Sequence, residues 1–388
     1  MISEMKARTA ELQRRLRDAG VDLAVLTDED SIAYYGGFWG YLGVEFGRPT
    51  FLLIPRDGAP TVITPLMESE MAGEMTWVED IRPWEDAGAS RWDAVLGRAL
   101  DEHASATALG WERLKVSALV LDFLEERVGR ARFTDITGLI GAMRVIKSPG
   151  EIAIMRQAGQ VALAMVDAGK AALGEGVPEY EVALAVLAGG TRKAAEFLSD
   201  QGWEQFISPT VHNLQILQSG RDTSKVHRRS SVRRLERGDP VYMCFCGMVN
   251  FKQYKLGFDR EFFIGAATDE QARVYEATVA AQMAALSAIR PGVTAEEVHE
   301  AANEVYLSAG FSPGYRTGRA IGCSFLEQPE IKQGDKTALK AGMTFAIDGG
   351  ITIPGAFGGR VGDSIVVTDD GFDCFTPYPK DLCVVEGR

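Results

Sequence analysis

Residues Ile216 to Gly265 read ILQSGRDTSKVHRRSSVRRLERGDPVYMCFCGMVNFKQYKLGFDREFFIG. A polar, arginine-rich loop carrying His227 runs into a Gly238-Asp239 turn, and two apolar, β-rich runs follow, Pro240 to Val249 and Phe258 to Ile264. Turn residues ahead of apolar runs of this length predict a buried hairpin. A loop histidine ahead of such a hairpin suits acid–base chemistry, because an unperturbed imidazole titrates near neutral pH. Taken alone, His227 reads as a surface histidine in a basic loop.

Outward from this stretch the pattern repeats. Helical periodicity covers Asp269–Ile289 and Thr294–Ala309, and strands return at Met343–Thr352 and Asp363–Val367. Upstream, RVIKSPGE (Arg144–Glu151) carries Ser148, Pro149 and Glu151 in helix-start positions. A long alanine-rich helix is predicted from there to Leu173. A second helix, Pro178–Leu198, contains Gly189 and Gly190, which should weaken or bend it. Helices followed by strands, twice over, predict an α+β domain of two similar halves over residues 144–388. Before it, a helix from Ser3 to Ala19 ends at Gly20, and strands are predicted at Val21–Leu26, Phe51–Ile54 and Thr61–Ile63. These alternate with helical stretches near residues 31–35, 65–75, 91–103 and 115–128, which predicts an α/β domain over residues 1–143.

Composition narrows the partners. A net charge of -13 argues against nucleic acid or an anionic membrane, which need clustered Lys and Arg in excess. No apolar run is long enough for a membrane span, and the charged N-terminus lacks a secretory core, so a cytoplasmic location is expected. The cysteines, Cys244, Cys246, Cys323, Cys374 and Cys383, are odd in number and lack CxxC spacing, which predicts reduced thiols and no zinc knuckle.

The segments RVIKSPGEIAIMRQAG, GDPVYMCFCG, GMTFAIDGGI and GGRVGDSIVVTDDG resemble the pita-bread proteins, a family of methionine and Xaa-Pro aminopeptidases, prolidases and creatinase. The local match is best to creatinase: LQSGRDTSKVHRRSSVRRLERGD is similar, without a gap, to the segment around its catalytic histidine, and EFGRP (Glu45–Pro49) matches as well. The resemblance implies a creatinase/prolidase-type N-terminal α/β domain followed by an α+β pita-bread catalytic domain.

It also implies where two metal ions would sit. The family's five ligand positions fall on Cys244, Gly257, Arg319, Asp348 and Gly362, of which Cys244 and Asp348 alone could still ligate. An arginine in such a site adds positive charge where a metal pair needs it offset. No metal and no cofactor are therefore expected, as in creatinase.

By the same resemblance His227 moves protons, Asp259 and Asp348 hold the nitrogen side of a substrate, and Arg48, with Phe46 beside it, grips a carboxylate from the other subunit of a homodimer. Arg319 could bind a substrate anion or pair with Asp348, and Cys323 could be a nucleophile or packing. Glu330 and Asp363 stand where creatinase has an arginine and a histidine, so creatine itself is not expected. His299 reads as structural, with His212 held in reserve. The expected activity is metal-independent hydrolysis of a non-peptide C–N bond in a small substrate with a carboxylate and a nitrogen-rich group. The alternatives are ectoine-type ring hydrolysis with Asp259 attacking covalently, a lyase, or a non-catalytic binding module.

Overall fold

Gly20, at φ 68°, ends the first helix, Ile2–Asp18, and the apolar run after it becomes the centre of a sheet. The computed structural model describes residues 2–210, 216–244, 249–312, 314–324 and 326–386, so His212 and Cys246 lie outside the described residues. Strands β1 (Leu23–Leu26), β2 (Phe51–Pro55), β3 (Thr61–Pro65), β4 (Asp80–Trp84), β5 (Leu109–Trp111) and β6 (Phe133–Asp135) form one sheet in the order β4-β3-β2-β1-β5-β6. The β1–β2 and β2–β3 pairs are antiparallel; β1–β5, β5–β6 and β3–β4 are parallel. Leu23, Val25, Phe51, Leu53 and Ile63 pack one face against helix Trp92–Glu102. Met1–Met143 with Ser199–Ile207 forms one compact unit, and Arg144–Leu198 with Ser208–Arg388 forms a second.

The second unit starts on the predicted signature. The Ser148 hydroxyl accepts from the Glu151 amide, the Glu151 carboxylate accepts from the Ser148 amide, and Pro149 opens helix Pro149–Ala172. Helix Glu179–Ala195 packs on it and continues unbroken through Gly189 and Gly190. A Cβ at Gly189 would come within 2.6 Å of the Ala168 Cβ and 2.8 Å of the Ala164 carbonyl. The missing side chain lets two helices approach, and that packing outweighs a propensity cost of about 1 kcal/mol.

The main sheet contains β7 (Ile216–Ser219), β8 (Pro240–Cys244), β11 (Asp259–Ile264), β12 (Gly318–Ala320), β13 (Glu327–Ile331), β14 (Thr344–Ile353) and β15 (Phe357–Val367), while β9 (Val249–Phe251) and β10 (Tyr254–Leu256) form a separate hairpin. The order is β13-β12-β14-β15-β11-β8-β7. Helices Asp269–Ala288 and Ala295–Ser308, each opened by a capping box, bury Val274, Ala281 and Val298 with Phe345, Ile347 and Ile365 of the sheet. Among the described residues no helix is long and apolar enough to cross a membrane.

Candidate active site

Antiparallel register sets the site. Cys244 of β8 lies opposite Asp259 of β11, Asp259 opposite Gly362 of β15, and Gly362 opposite Asp348 of β14. Directly opposed residues in antiparallel strands point to the same face at about 5 Å spacing, so the four form a row across the sheet. Gly362 contributes no side chain to it. A Cβ there would meet Asp259 Oδ2 at 2.7 Å and the Asp348 Cβ at 3.0 Å, so the two aspartates occupy the gap the glycine leaves. From β12, Arg319 reaches Asp348, pairing Nη1 with Oδ2, and its Nη2 stands 3.1 Å from where a Gly257 Cβ would be.

Above the row is a cavity of about 370 Å³ whose walls include His227, Cys244, Asp259, Arg319, Asp348 and Arg360. Asp259 is only 3 % exposed. Burial first, and then the neighbouring Asp348 charge, push its carboxyl up to about 6, against hydrogen bonds from Cys244 and Tyr242 and the field of Arg319. Arg260, the next residue, serves the opposite face: it pairs with Asp363 at 2.7 Å and donates to the carbonyls of Asp259, Gly362 and Tyr378. Asp363 is therefore a structural anion, also held by Lys380, Gln282 and Thr376.

Arg360 is a different kind of cation. It is 8 % exposed, donates from Nη2 to Thr352 Oγ1 at 2.7 Å, and has no carboxylate of the described residues within ion-pair distance. Its Nε is buried with no hydrogen-bond partner among the described residues. Gly350 clears the ground for it, since a Cβ there would collide with its guanidinium, and Gly349 does the same for the Tyr306 hydroxyl at 2.8 Å. Burial pushes Tyr306 up to about 12. Next to Arg360, Glu261 accepts from the Arg360 amide at 2.8 Å through Oε2 while Oε1 has no partner among the described residues, and burial pushes its carboxyl up to about 8.

The structure thus brings together His227, Asp259, Asp348 and Arg319. His227 lies exposed at the cavity rim. Cys323 is buried, its carbonyl accepting from Lys255 Nζ, and does not line the cavity. Phe46 and Arg48 belong to the N-terminal unit, where Phe46 is 67 % exposed and Arg48 pairs with Asp86 beside the Trp84 ring. His299 is buried between Thr317 Oγ1 and Asn303 Nδ2, at 2.7 and 2.8 Å. Arg316, Arg360 and Tyr306 join the cavity without having been singled out from sequence. The available signal for Arg360 was an arginine inside a glycine-rich strand, GGRVG.

The donor set does not fit a two-metal centre. Gly257 and Gly362 offer no ligand, the Arg319 guanidinium fills the space beside Gly257, and the residues left are Cys244, Asp259 and Asp348. Among the described residues no group of three or more His, Cys, Asp or Glu is placed to hold a metal. A pair of divalent ions needs more carboxylate than this and no adjacent guanidinium.

Residues 153–369 match metallopeptidase family M24, and residues 8–146 match the creatinase/prolidase N-terminal domain. The chain is 30 % identical over 387 residues to an Xaa-Pro dipeptidase of Lactobacillus helveticus, covering 97 % of this chain and 98 % of the other. It is 28 % identical over 381 residues to an agropine synthesis cyclase of Rhizobium rhizogenes, 94 % of each chain. The crystal structure of dipeptidase PepE from Mycobacterium ulcerans superposes with a TM-score of 0.81 at 27 % identity, over 99 % of both chains. These relatives overturn the expectation of a creatinase-like hydrolase of a non-peptide C–N bond, because dipeptidases act on peptide bonds. Their family is one of metallopeptidases, which runs against the metal-independent part of that expectation, and the donor set described above is a departure of this chain from the family's metal chemistry.

Proposed function

The chain belongs to metallopeptidase family M24, with a creatinase/prolidase N-terminal domain ahead of a pita-bread catalytic domain, and from that membership we propose that it hydrolyses the peptide bond of dipeptide-sized substrates bearing a free carboxylate. The observation that carries the reading is Arg360, a buried guanidinium without an acid partner among the described residues, facing the same cavity as the neighbouring aspartates Asp259 and Asp348. A buried cation of this kind is stabilised by an anion from outside, and a planar guanidinium matches a carboxylate in two hydrogen bonds.

Above about pH 6 the Asp259 carboxylate is ionised and acts as the general base. It takes a proton from a water whose oxygen attacks the substrate carbonyl carbon. Arg319, fixed by Asp348, donates to the carbonyl oxygen as that oxygen becomes anionic. Asp259 then hands the proton to the leaving nitrogen and the C–N bond breaks, so one water is consumed and the carboxylate is regenerated. His227 stands at the rim, where it can exchange protons with solvent. A homodimer is part of the same proposal; its support is the 67 % exposed Phe46, a large apolar side chain that a second subunit would cover.

The 28 % identity to a cyclase over nearly the whole chain favours a second reading, ring closure, in which a nucleophile within the substrate replaces water. Incubation with Xaa-Pro and other dipeptides, and their C-terminal amides, followed by mass spectrometry, separates the two. Hydrolysis gives two products that together gain a water, and cyclisation gives one that loses a water from a free-carboxylate dipeptide or ammonia from its amide. No turnover of any free-carboxylate dipeptide would sink the first reading.

A further inference from the structure

We propose that the cavity selects substrates carrying a second negative charge and that Arg316 is the residue that reads it; this deepens the dipeptide reading and rests on it for the identity of the reaction. Arg316 enters the cavity wall from the segment leading into β12, with its guanidinium over the Tyr315 ring at 5.4 Å. Its Nη1 meets Glu330 Oε2 at 3.0 Å, and the other oxygen of Glu330 is taken by Lys332 Nζ at 2.7 Å. Two cations therefore share one carboxylate. Glu330 is held below the usual carboxylate range by Lys332 first and Arg316 second, so it stays ionised and cannot balance both.

The charges of the cavity point the same way. Three guanidiniums line it, those of Arg316, Arg319 and Arg360, against the two carboxylates Asp259 and Asp348. Behind Arg316, Glu330 and Lys332 cancel, and the Asp335 carboxylate is taken up by the Glu330 and Thr337 amides outside the cavity lining. One positive charge is left over. A dipeptide with neutral side chains carries an ammonium and a carboxylate and leaves that excess in place, whereas a dipeptide with an acidic side chain neutralises it. Arg319 is committed to Asp348 and Arg360 suits the main carboxylate, which leaves Arg316 for the acidic side chain. The Arg316 and Glu330 side chains are only 18 and 15 % exposed, so water screens the charge incompletely.

Two assays test this. Calorimetry compares glutarate with butyrate as non-hydrolysable probes, and kcat/KM compares Ala-Glu with Ala-Gln and Glu-Pro with Gln-Pro. One charge-assisted contact predicts a preference of about tenfold for the dicarboxylate and for the acidic dipeptides. Arg316→Gln should equalise each pair, and Glu330→Gln, which frees Arg316, should widen the gap. Equal affinity of the wild-type protein for glutarate and butyrate, or a preference that survives Arg316→Gln, overturns the inference. If glutarate is preferred in the predicted pattern while no dipeptide is cut, the peptidase reading fails and the second-anion site stands.

Discussion

Glutamine in place of Glu261 should remove a large, pH-dependent loss of stability. Glu261 is buried on β11, its Oε2 accepts from the Arg360 amide, and its Oε1 has no partner among the described residues. Burial raises its carboxyl from 4.5 to about 8. A carboxyl with a raised folded-state pKa contributes its stabilising protonated form fully below 4.5, and that contribution is lost as pH rises through 8. Between those limits the folded state holds one more proton than the unfolded chain, so stability falls by about 1.4 kcal/mol per pH unit. From about pH 5.5 to about pH 7.5 the Glu261 contribution therefore falls by about 2.7 kcal/mol. Glutamine keeps the shape and an acceptor for the Arg360 amide but does not titrate. Native-state hydrogen exchange at β8 and β11, with wild type and Glu261→Gln compared at both pH values, reads the difference directly. The variant should gain on the wild type by about that amount at the higher pH. A difference that is the same at both pH values would refute the claim that Glu261 is a neutral acid in the fold.

Arg360→Gln should raise KM for free-carboxylate dipeptides by about a hundredfold, the scale of a lost charge-assisted hydrogen bond, and barely change it for C-terminal amides. The kcat/KM of the wild type should fall as pH drops through about 6, where Asp259 gains its proton; Asp348→Asn should move that limb to lower pH, because the Asp348 charge helps raise Asp259. Gly159→Ala should lower stability by about 1–3 kcal/mol in thermal melts, because the added methyl collides with the Phe375 carbonyl packed on the helix. Calorimetric titration with Mn²⁺ should show no tight pair of sites, since Arg319 fills the space beside Gly257; two submicromolar sites would refute the donor-set argument.

The helix start at Ser148 was legible because a cap is a local interaction written in adjacent residues, and the helices that follow Thr268 and Thr294 were legible through their periodicity, their capping boxes being seen in the structure. Strands β4, β5 and β6 were not, being short, with β4 and β6 partly polar, and their pairing comes from neighbours distant in the chain. The same limit explains the site. Asp259, Asp348, Arg319 and His227 were reached through motif resemblance, yet the coupling of the two aspartates depends on the register that sets Gly362 between them. Arg360 escaped notice because its strand was read from Asp363 onward, while β15 begins at Phe357 with Gly358 and Gly359 in its first turn of pairing. Those glycines depress strand propensity but are what the closely packed neighbours require. The bond acted upon was read incorrectly because the creatinase-like loop around His227 is local, whereas the similarity to dipeptidases extends over the whole chain.

In the proposed reaction Asp259 activates water against a peptide bond. Turnover of an Xaa-Pro dipeptide in ¹⁸O-labelled water, with wild type and Asp259→Asn side by side, tests it most directly. One labelled oxygen should appear in the carboxylate of the released N-terminal amino acid, and the rate should be lower by about 10²- to 10⁴-fold in the variant. Cleavage by Asp259→Asn at the wild-type rate, or a wild-type protein that releases no labelled amino acid, would contradict it.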